Sequence, residues 1–105
     1  GLNLKKNKKI IQNMISVLKK NKIRVSLFIE PVVANVESAF ILGADCVEFH
    51  TGAFCNFFNQ KNKKKTEIAY LKIRQCTNYA KYYGLDVHVG HGLSYKSAYR
   101  DITLC

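Results

Sequence analysis

Two short segments of this sequence combine acid–base side chains with glycine. The first is CVEFHTG, residues 46–52, in which Glu48 interrupts an apolar run and His50, Thr51 and Gly52 follow. A carboxylate inside an apolar strand is costly unless it is paired, hydrogen-bonded or protonated, so Glu48 is a candidate for charge stabilisation in a reaction. The alternative interpretation is a surface-facing glutamate on an edge strand.

The second segment is GHGLSY, residues 90–95, in which His91 lies between Gly90 and Gly92. Glycines let the backbone approach a ligand and expose its amides, and an imidazole can give or take a proton near neutral pH. At the start of a helix, such a segment can hold a phosphate beside an acid–base histidine. On spacing alone, the alternative is a tight turn with an incidental surface histidine.

Patterns typical of helices and of strands alternate along the chain. Apolar residues at helical spacing, with Gly43 and Gly84 just past two of the predicted ends, indicate three helices, and the segment GHGLSYKSAYRDI is predicted to begin a fourth. Short β-branched apolar runs indicate three strands of a sheet that is covered on both faces. The predicted helices span residues 10–18, 32–42 and 66–83, and the predicted strands span residues 23–29, 45–50 and 85–89. This order predicts an α/β fold with a parallel sheet and right-handed crossovers.

Each predicted helix has one apolar face. The residues of these faces are Ile11, Met14, Ile15 and Leu18 in the first helix, Val33, Val36, Phe40 and Ile41 in the second, and Ala69, Ile73, Cys76, Ala80 and Tyr83 in the third. Residues 51–65 are predicted to form a long polar-to-basic loop, and Thr66 is predicted to cap the third helix.

The working residues of α/β proteins lie beyond the carboxyl ends of their strands. Those ends are predicted at residues 28–31, 48–52 and 89–95, and alternation along the second strand puts Cys46, Glu48 and His50 on one face. His50 also fits a core or supporting role, as does His88. Because a parallel sheet of three strands leaves edges without neighbours, residues 1–105 are expected to be a fragment of a single larger domain.

Composition bounds the class of protein. With 105 residues, 48% of them hydrophobic, the chain is expected to form at most one globular domain. It contains no apolar run of membrane-spanning length, and its start lacks a signal-peptide layout, so we expect a cytoplasmic protein without a membrane partner.

Charge and cysteine spacing exclude two further kinds of site. The formal net charge is +10, but the lysines cluster at predicted helix ends and loops rather than along a stripe with exposed aromatic residues, so no nucleic-acid partner is expected. The four cysteines form no C-x-x-C pair and have no histidine at zinc-ligand spacing, so no metal site is expected.

Three segments, in this order, resemble the pyridoxine 5'-phosphate synthase family: RVSLFIE, VEFHTG and GLDVHVGHGLSY. The similarity covers nearly the whole chain and implies a partial TIM (β/α)8 barrel, from just before strand five to the start of helix seven. Members of the family condense 1-deoxy-D-xylulose 5-phosphate with 3-amino-2-oxopropyl phosphate to give pyridoxine 5'-phosphate in vitamin B6 biosynthesis. The resemblance also implies phosphate substrates, no metal or organic cofactor, and a homo-octamer for the full-length protein.

The resemblance also implies roles for individual residues. Glu48 matches the family's glutamate that stabilises charge in the transition state, His91 its proton donor, and Gly92 the glycine whose amide binds the phosphate of the aminoketone substrate. Glu30 departs from the pattern, because family members more often have aspartate there. Four further residues are expected to support the site: His50, Thr51, Gly52 and Gly90.

The other strands of the barrel carry the remaining catalytic and phosphate-binding groups of the family, so the isolated fragment is expected to be inactive. Two alternatives stay open on the sequence alone. One is another phosphate-binding (β/α) barrel enzyme, and the other is a non-catalytic gene remnant.

Overall fold

A computed structural model of the chain describes residues 3–89. The segment GHGLSY, with its predicted site residues Gly90, His91 and Gly92, lies outside the described residues. The elements are helix α1 (Lys8–Lys20), strand β1 (Ser26–Ile29), helix α2 (Val33–Leu42), strand β2 (Cys46–Phe49), helix α3 (Gly52–Asn59), helix α4 (Lys63–Tyr82) and strand β3 (Asp86–Val89). Every predicted strand is present, and the predicted α/β class is confirmed.

The three strands form one parallel sheet in the order β1-β2-β3. Strands that follow one another in the chain are therefore neighbours in the sheet, as in one sector of a (β/α) barrel. The register pairs Phe28 with Glu48 and Glu48 with His88, so these three residues form a row across the sheet. The chain thus has the architecture predicted for it, a partial barrel of three parallel strands alternating with helices.

The two faces of the sheet differ in burial. Ile29, Val47 and Phe49 are fully buried on the face that packs against the helices. On the opposite face, Phe28 and His88 are exposed and Glu48 is partly exposed. In a closed barrel the helices cover the outer face of the strands, so the row that contains Glu48 belongs to the inner face.

In two helices, the buried residues differ from those that the apolar spacing predicts. Met14 of α1 is exposed, although Ile11 and Ile15 are buried as predicted. In α2, Phe40 and Ile41 are exposed, and a different set of residues is buried with Val36, namely Ala39 and Leu42. Seven of the ten residues of α2 are apolar, so spacing alone did not select the buried face.

Helix α4 packs as predicted, since Ile73, Cys76 and Ala80 are buried. Burial raises the pKa of the Cys76 thiol to about 11, against a smaller opposing effect of the Lys72 charge. The thiol is therefore neutral near pH 7 and acts as a small apolar group in the core. Among residues 3–89, no helix combines the length and the apolar character that crossing a membrane requires.

The prediction of a long loop over residues 51–65 is wrong, because this segment contains α3 and the first turn of α4. Phe54 and Phe58, four residues apart, stack on one side of α3 with ring centroids 6.4 Å apart, which is a helical pairing. The polar residues around them concealed this pattern.

The predicted cap of the third helix is also wrong. Asn62, not Thr66, caps α4, and its side chain accepts a hydrogen bond from the Lys65 amide at 3.1 Å. Thr66 is instead buried inside the first turn, where its hydroxyl donates to the Asn62 carbonyl at 2.7 Å. Both residues are good caps, and the helix begins at the earlier one.

Asp45, just before β2, links two other parts of the chain to the amino end of the sheet. Its carboxylate accepts a hydrogen bond from the Val25 amide at 2.8 Å and pairs with the ammonium group of Lys19 on α1. The Lys19 hydrogen bond, followed by that of Val25, holds the pKa of this carboxyl below its ordinary value and outweighs partial burial, which acts to raise it. The ionised carboxylate therefore stabilises the fold.

We expect Asp45→Asn to lower the free energy of unfolding of the full-length protein by about 1 kcal/mol at pH 7. Because folding lowers this pKa, the stability that the carboxylate contributes is present above its unfolded pKa of about 3.9 and is lost as the pH falls through the folded value. In urea titrations, the difference between variant and parent should therefore shrink below about pH 4.

The matched control for this prediction is Asp86→Asn. The Asp86 side chain is 66% exposed and pairs with Arg24, so its loss should change stability by less than about 0.5 kcal/mol. A destabilisation by Asp45→Asn that stays the same from pH 7 to pH 3 would show that the carboxylate charge is not its cause.

Candidate active site

Glu48 lies near the carboxyl end of β2, the middle strand of the sheet. It therefore does not lie on an edge of the described sheet, and the edge-strand part of that alternative interpretation is wrong. The exposed ring of Phe28 and the exposed imidazole of His88 occupy the register positions on either side of it. Glu48 thus projects from the face that a barrel interior uses, between an aromatic and a basic neighbour.

His50 follows β2 and pairs with Glu30, which follows β1. The His50 Nδ1 atom lies 2.9 Å from Oε1 and 3.2 Å from Oε2 of the Glu30 carboxylate. The His50 amide also donates to the Ile29 carbonyl at 2.9 Å, which continues the parallel ladder one residue past β2. The side chains of two adjacent strand ends are therefore joined at the carboxyl edge of the sheet.

The charge state of Glu30 follows from this pair. Partial burial acts to raise the pKa of the Glu30 carboxyl, but the hydrogen bond from His50 and the electrostatic attraction of the His50 ring act in the opposite direction, and the pKa lies below its ordinary value. Glu30 is therefore ionised near neutral pH. A carboxylate accepts and cannot donate, so the facing Nδ1 atom of His50 carries a proton.

Two further contacts fix the imidazole of His50. The Phe28 ring meets it edge-on, with centroids 5.5 Å apart. On another side the imidazole lies over Gly52, the first residue of α3, so that a Cβ atom at Gly52 would stand 2.8 Å from Cε1 and 2.9 Å from Nε2. The order His-x-Gly therefore has a steric reason, because the ring occupies the space of the missing side chain.

Thr51 lies between these two residues, immediately before α3. Its carbonyl accepts the Cys55 amide at 3.0 Å, the first hydrogen bond of that helix. His50, Thr51 and Gly52 thus form the turn from β2 into α3. Their predicted proximity to Glu48 follows from chain continuity, and a role in binding or catalysis stays a prediction for all three.

A groove of about 420 Å³ begins at the Glu30–His50 pair and runs between α3 and α4. Most of its lining is apolar, and two lysines of α4, Lys65 and Lys72, also border it. The Lys65 ammonium lies 5.5 Å from the centroid of the Phe57 ring, a cation–π contact. Within residues 3–89, no three His, Cys, Asp or Glu side chains are grouped so that they could hold a metal ion.

One residue of this arrangement was not predicted as part of the site. This residue is Glu30, which lies at a predicted strand end. The sequence feature that could have pointed to it is an acidic residue directly before a proline, Pro31, which disfavours helical backbone at Glu30. Its pairing with His50 depends on the register of β1 against β2, which the sequence does not state.

Parallel strands in sequential order, with helices on one face, match one sector of a (β/α) barrel. The family model described as "Pyridoxal phosphate biosynthesis protein PdxJ" matches residues 1–103. The chain therefore belongs to this family, as its motifs predicted.

Curated relatives carry the name pyridoxine 5'-phosphate synthase. The chain is 46% identical over 97 residues to the protein of Pelagibacter ubique and 35% identical over 97 residues to that of Hydrogenobaculum sp.; each alignment covers 92% of this chain and 40% of the relative. It is 38% identical over 96 residues to the protein of Bdellovibrio bacteriovorus, covering 91% of the chain and 38% of the relative. The chain thus spans about 40% of the length of these relatives.

The contact between Gly52 and the His50 ring generates a stability prediction. Gly52→Ala should destabilise the full-length protein by about 1 kcal/mol, because the new methyl group displaces the imidazole from Glu30. In a His50→Ala background the same change should be neutral, or stabilising by up to about 1 kcal/mol, because alanine is the better helix former. Urea unfolding of the parent, the two single variants and the double variant measures these differences in free energy of unfolding. Equal effects of Gly52→Ala in both backgrounds would contradict it.

Proposed function

We propose that the full-length protein to which this chain belongs is a pyridoxine 5'-phosphate synthase. It condenses 1-deoxy-D-xylulose 5-phosphate with 3-amino-2-oxopropyl phosphate, with loss of phosphate and water, in vitamin B6 biosynthesis. The observation that carries the proposal is the family match over residues 1–103. The position of Glu48 on the inner face, near the carboxyl end of the middle strand, supports it.

In this proposal Glu48 stabilises positive charge or holds a polar group of the substrate as the transition state forms. Imine formation and dehydration create and remove charge at carbon and nitrogen, and a carboxylate fixed in a water-poor barrel interior interacts strongly with such charge. Because β2 lies between two strands, the backbone that carries Glu48 is held on both sides. That rigidity keeps the carboxylate in place without a reorganisation cost.

His91 is the proposed proton donor, and the Gly92 amide the proposed phosphate ligand, with Gly90 allowing close approach. The support is sequence and register. Phe49 pairs with Val89, the last residue of β3, so β3 ends beside the end of β2. Adjacent strands lie about 4.8 Å apart, so the end of β3 is close enough to Glu48 for groups from both strand ends to serve one substrate.

The proposal extends to the assembly and the location of the protein. Residues 1–105 form one fragment of a single barrel domain, the full-length protein is a homo-octamer in the cytoplasm, and its partners are small phosphate substrates. The support for these statements is membership of the family, together with a register that leaves both edge strands of the described sheet open to further barrel strands.

In the full-length enzyme, Glu48→Gln and His91→Asn should each lower kcat by about 10² or more, the scale for a lost charge-stabilising or acid–base group. Steady-state formation of pyridoxine 5'-phosphate measures this. Glu37→Gln, which removes an exposed carboxylate of α2, is the matched control and should leave kcat unchanged. Near-normal rates in both site variants would remove the assigned roles.

The isolated 105-residue chain should form no pyridoxine 5'-phosphate, because most of the barrel that would close its inner face is absent from it. The same assay, at enzyme concentrations that give a strong signal for the full-length protein, measures this. Turnover by the isolated chain would mean that these three strands contain a complete active site, which is contrary to the proposal.

A further inference from the structure

The Glu30–His50 pair lies directly beyond the row that contains Glu48. Phe28 and Glu48 are register partners, and Glu30 and His50 follow two positions later, just past the ends of the same two strands. The His50 amide still donates to the Ile29 carbonyl, so the ladder extends to His50, and residues two apart in it share a face; the pair therefore continues the inner face toward the carboxyl edge. The Phe28–His50 ring contact at 5.5 Å fits this arrangement.

The pair is also the link between this edge and the turn into α3. His50 Nδ1 is held by the Glu30 carboxylate at 2.9 Å, while its Cε1 and Nε2 atoms rest against Gly52. Without Glu30 the imidazole would be positioned only by its packing against Phe28 and Gly52, and the hydrogen bond that sets its orientation would be lost. The rim of the site next to Glu48 would then lose its fixed shape.

We propose that Glu30 is a positioning residue for the synthase reaction, and that its carboxylate acts by fixing the imidazole of His50 at the rim of the site beside Glu48. This inference rests on the proposed function. Glu30 does not need to touch substrate in this role. Misplacing a group at a reacting centre by about 1 Å can cost up to about 10²-fold in rate, so a partial release of His50 has a measurable effect.

The test is a double-mutant cycle in the full-length enzyme, with Glu30→Gln, His50→Asn and the double variant. Each of the three should lower kcat by about 10-fold, with KM changed by less than about threefold, because the two residues act as one unit. Glu30→Asp, which retains a carboxylate, should keep kcat within about threefold of the parent. An unchanged kcat in Glu30→Gln, or an effect of about 100-fold in the double variant, overturns the inference.

A second measurement and a matched control distinguish a positioning role of Glu30 from a role in stability alone. Arg24→Gln removes an exposed ion pair with Asp86 at the opposite end of the sheet, and it should leave kcat unchanged. The melting temperature of each variant is measured in parallel with kcat per folded enzyme. A lower melting temperature for Glu30→Gln with a parental kcat would make Glu30 structural only and overturn the inference.

The same assay separates the two levels of the proposal. If the unmutated enzyme forms no pyridoxine 5'-phosphate, the proposed function fails and the positioning role fails with it. If the unmutated enzyme and Glu30→Gln turn over equally, the proposed function stands and only the role of Glu30 is rejected.

Discussion

Parallel pairing of β2 with a strand on each side determines which side chains share a face of this sheet. Val47 and Phe49 enter the core under the helices, and the intervening Glu48 must then project from the other face. A slip of one residue in the register would bury the carboxylate among apolar groups and expose the Phe49 ring, both at high cost. Burial of the core thus fixes the direction in which the proposed catalytic group points.

The two ends of the sheet have different ion pairs. At the amino end, Asp45 ties β2 to α1 and to the Val25 amide. At the carboxyl end, Glu30 and His50 join the residues that follow β1 and β2. In (β/α) barrels the amino end serves stability and the carboxyl end serves chemistry, and this chain has one of these ion pairs at each end.

The sequence predicted the strands because they are short apolar runs, and it predicted the position of Glu48 because this carboxylate interrupts one of those runs. It predicted less where several patterns overlapped. The apolar residues of α3 were hidden among asparagines and lysines, and Asn62 and Thr66 competed as caps of α4. The contact of Glu30 with His50 depends on two strand ends that are 20 residues apart in the chain. Such a contact is a property of the register, and local spacing does not contain it.

The turn between α3 and α4 allows a practical use of this segment. Lys61 adopts a left-handed conformation with φ of 58°, and its amide and that of Asn62 close α3 by bonding to the Phe58 and Phe57 carbonyls. Gln60 and Lys61 are exposed and belong to none of the strands. Exposed turns of this kind tolerate inserted sequence. A fluorophore or affinity tag attached there can therefore follow assembly of the barrel from outside, while the strands and their ion pairs stay intact.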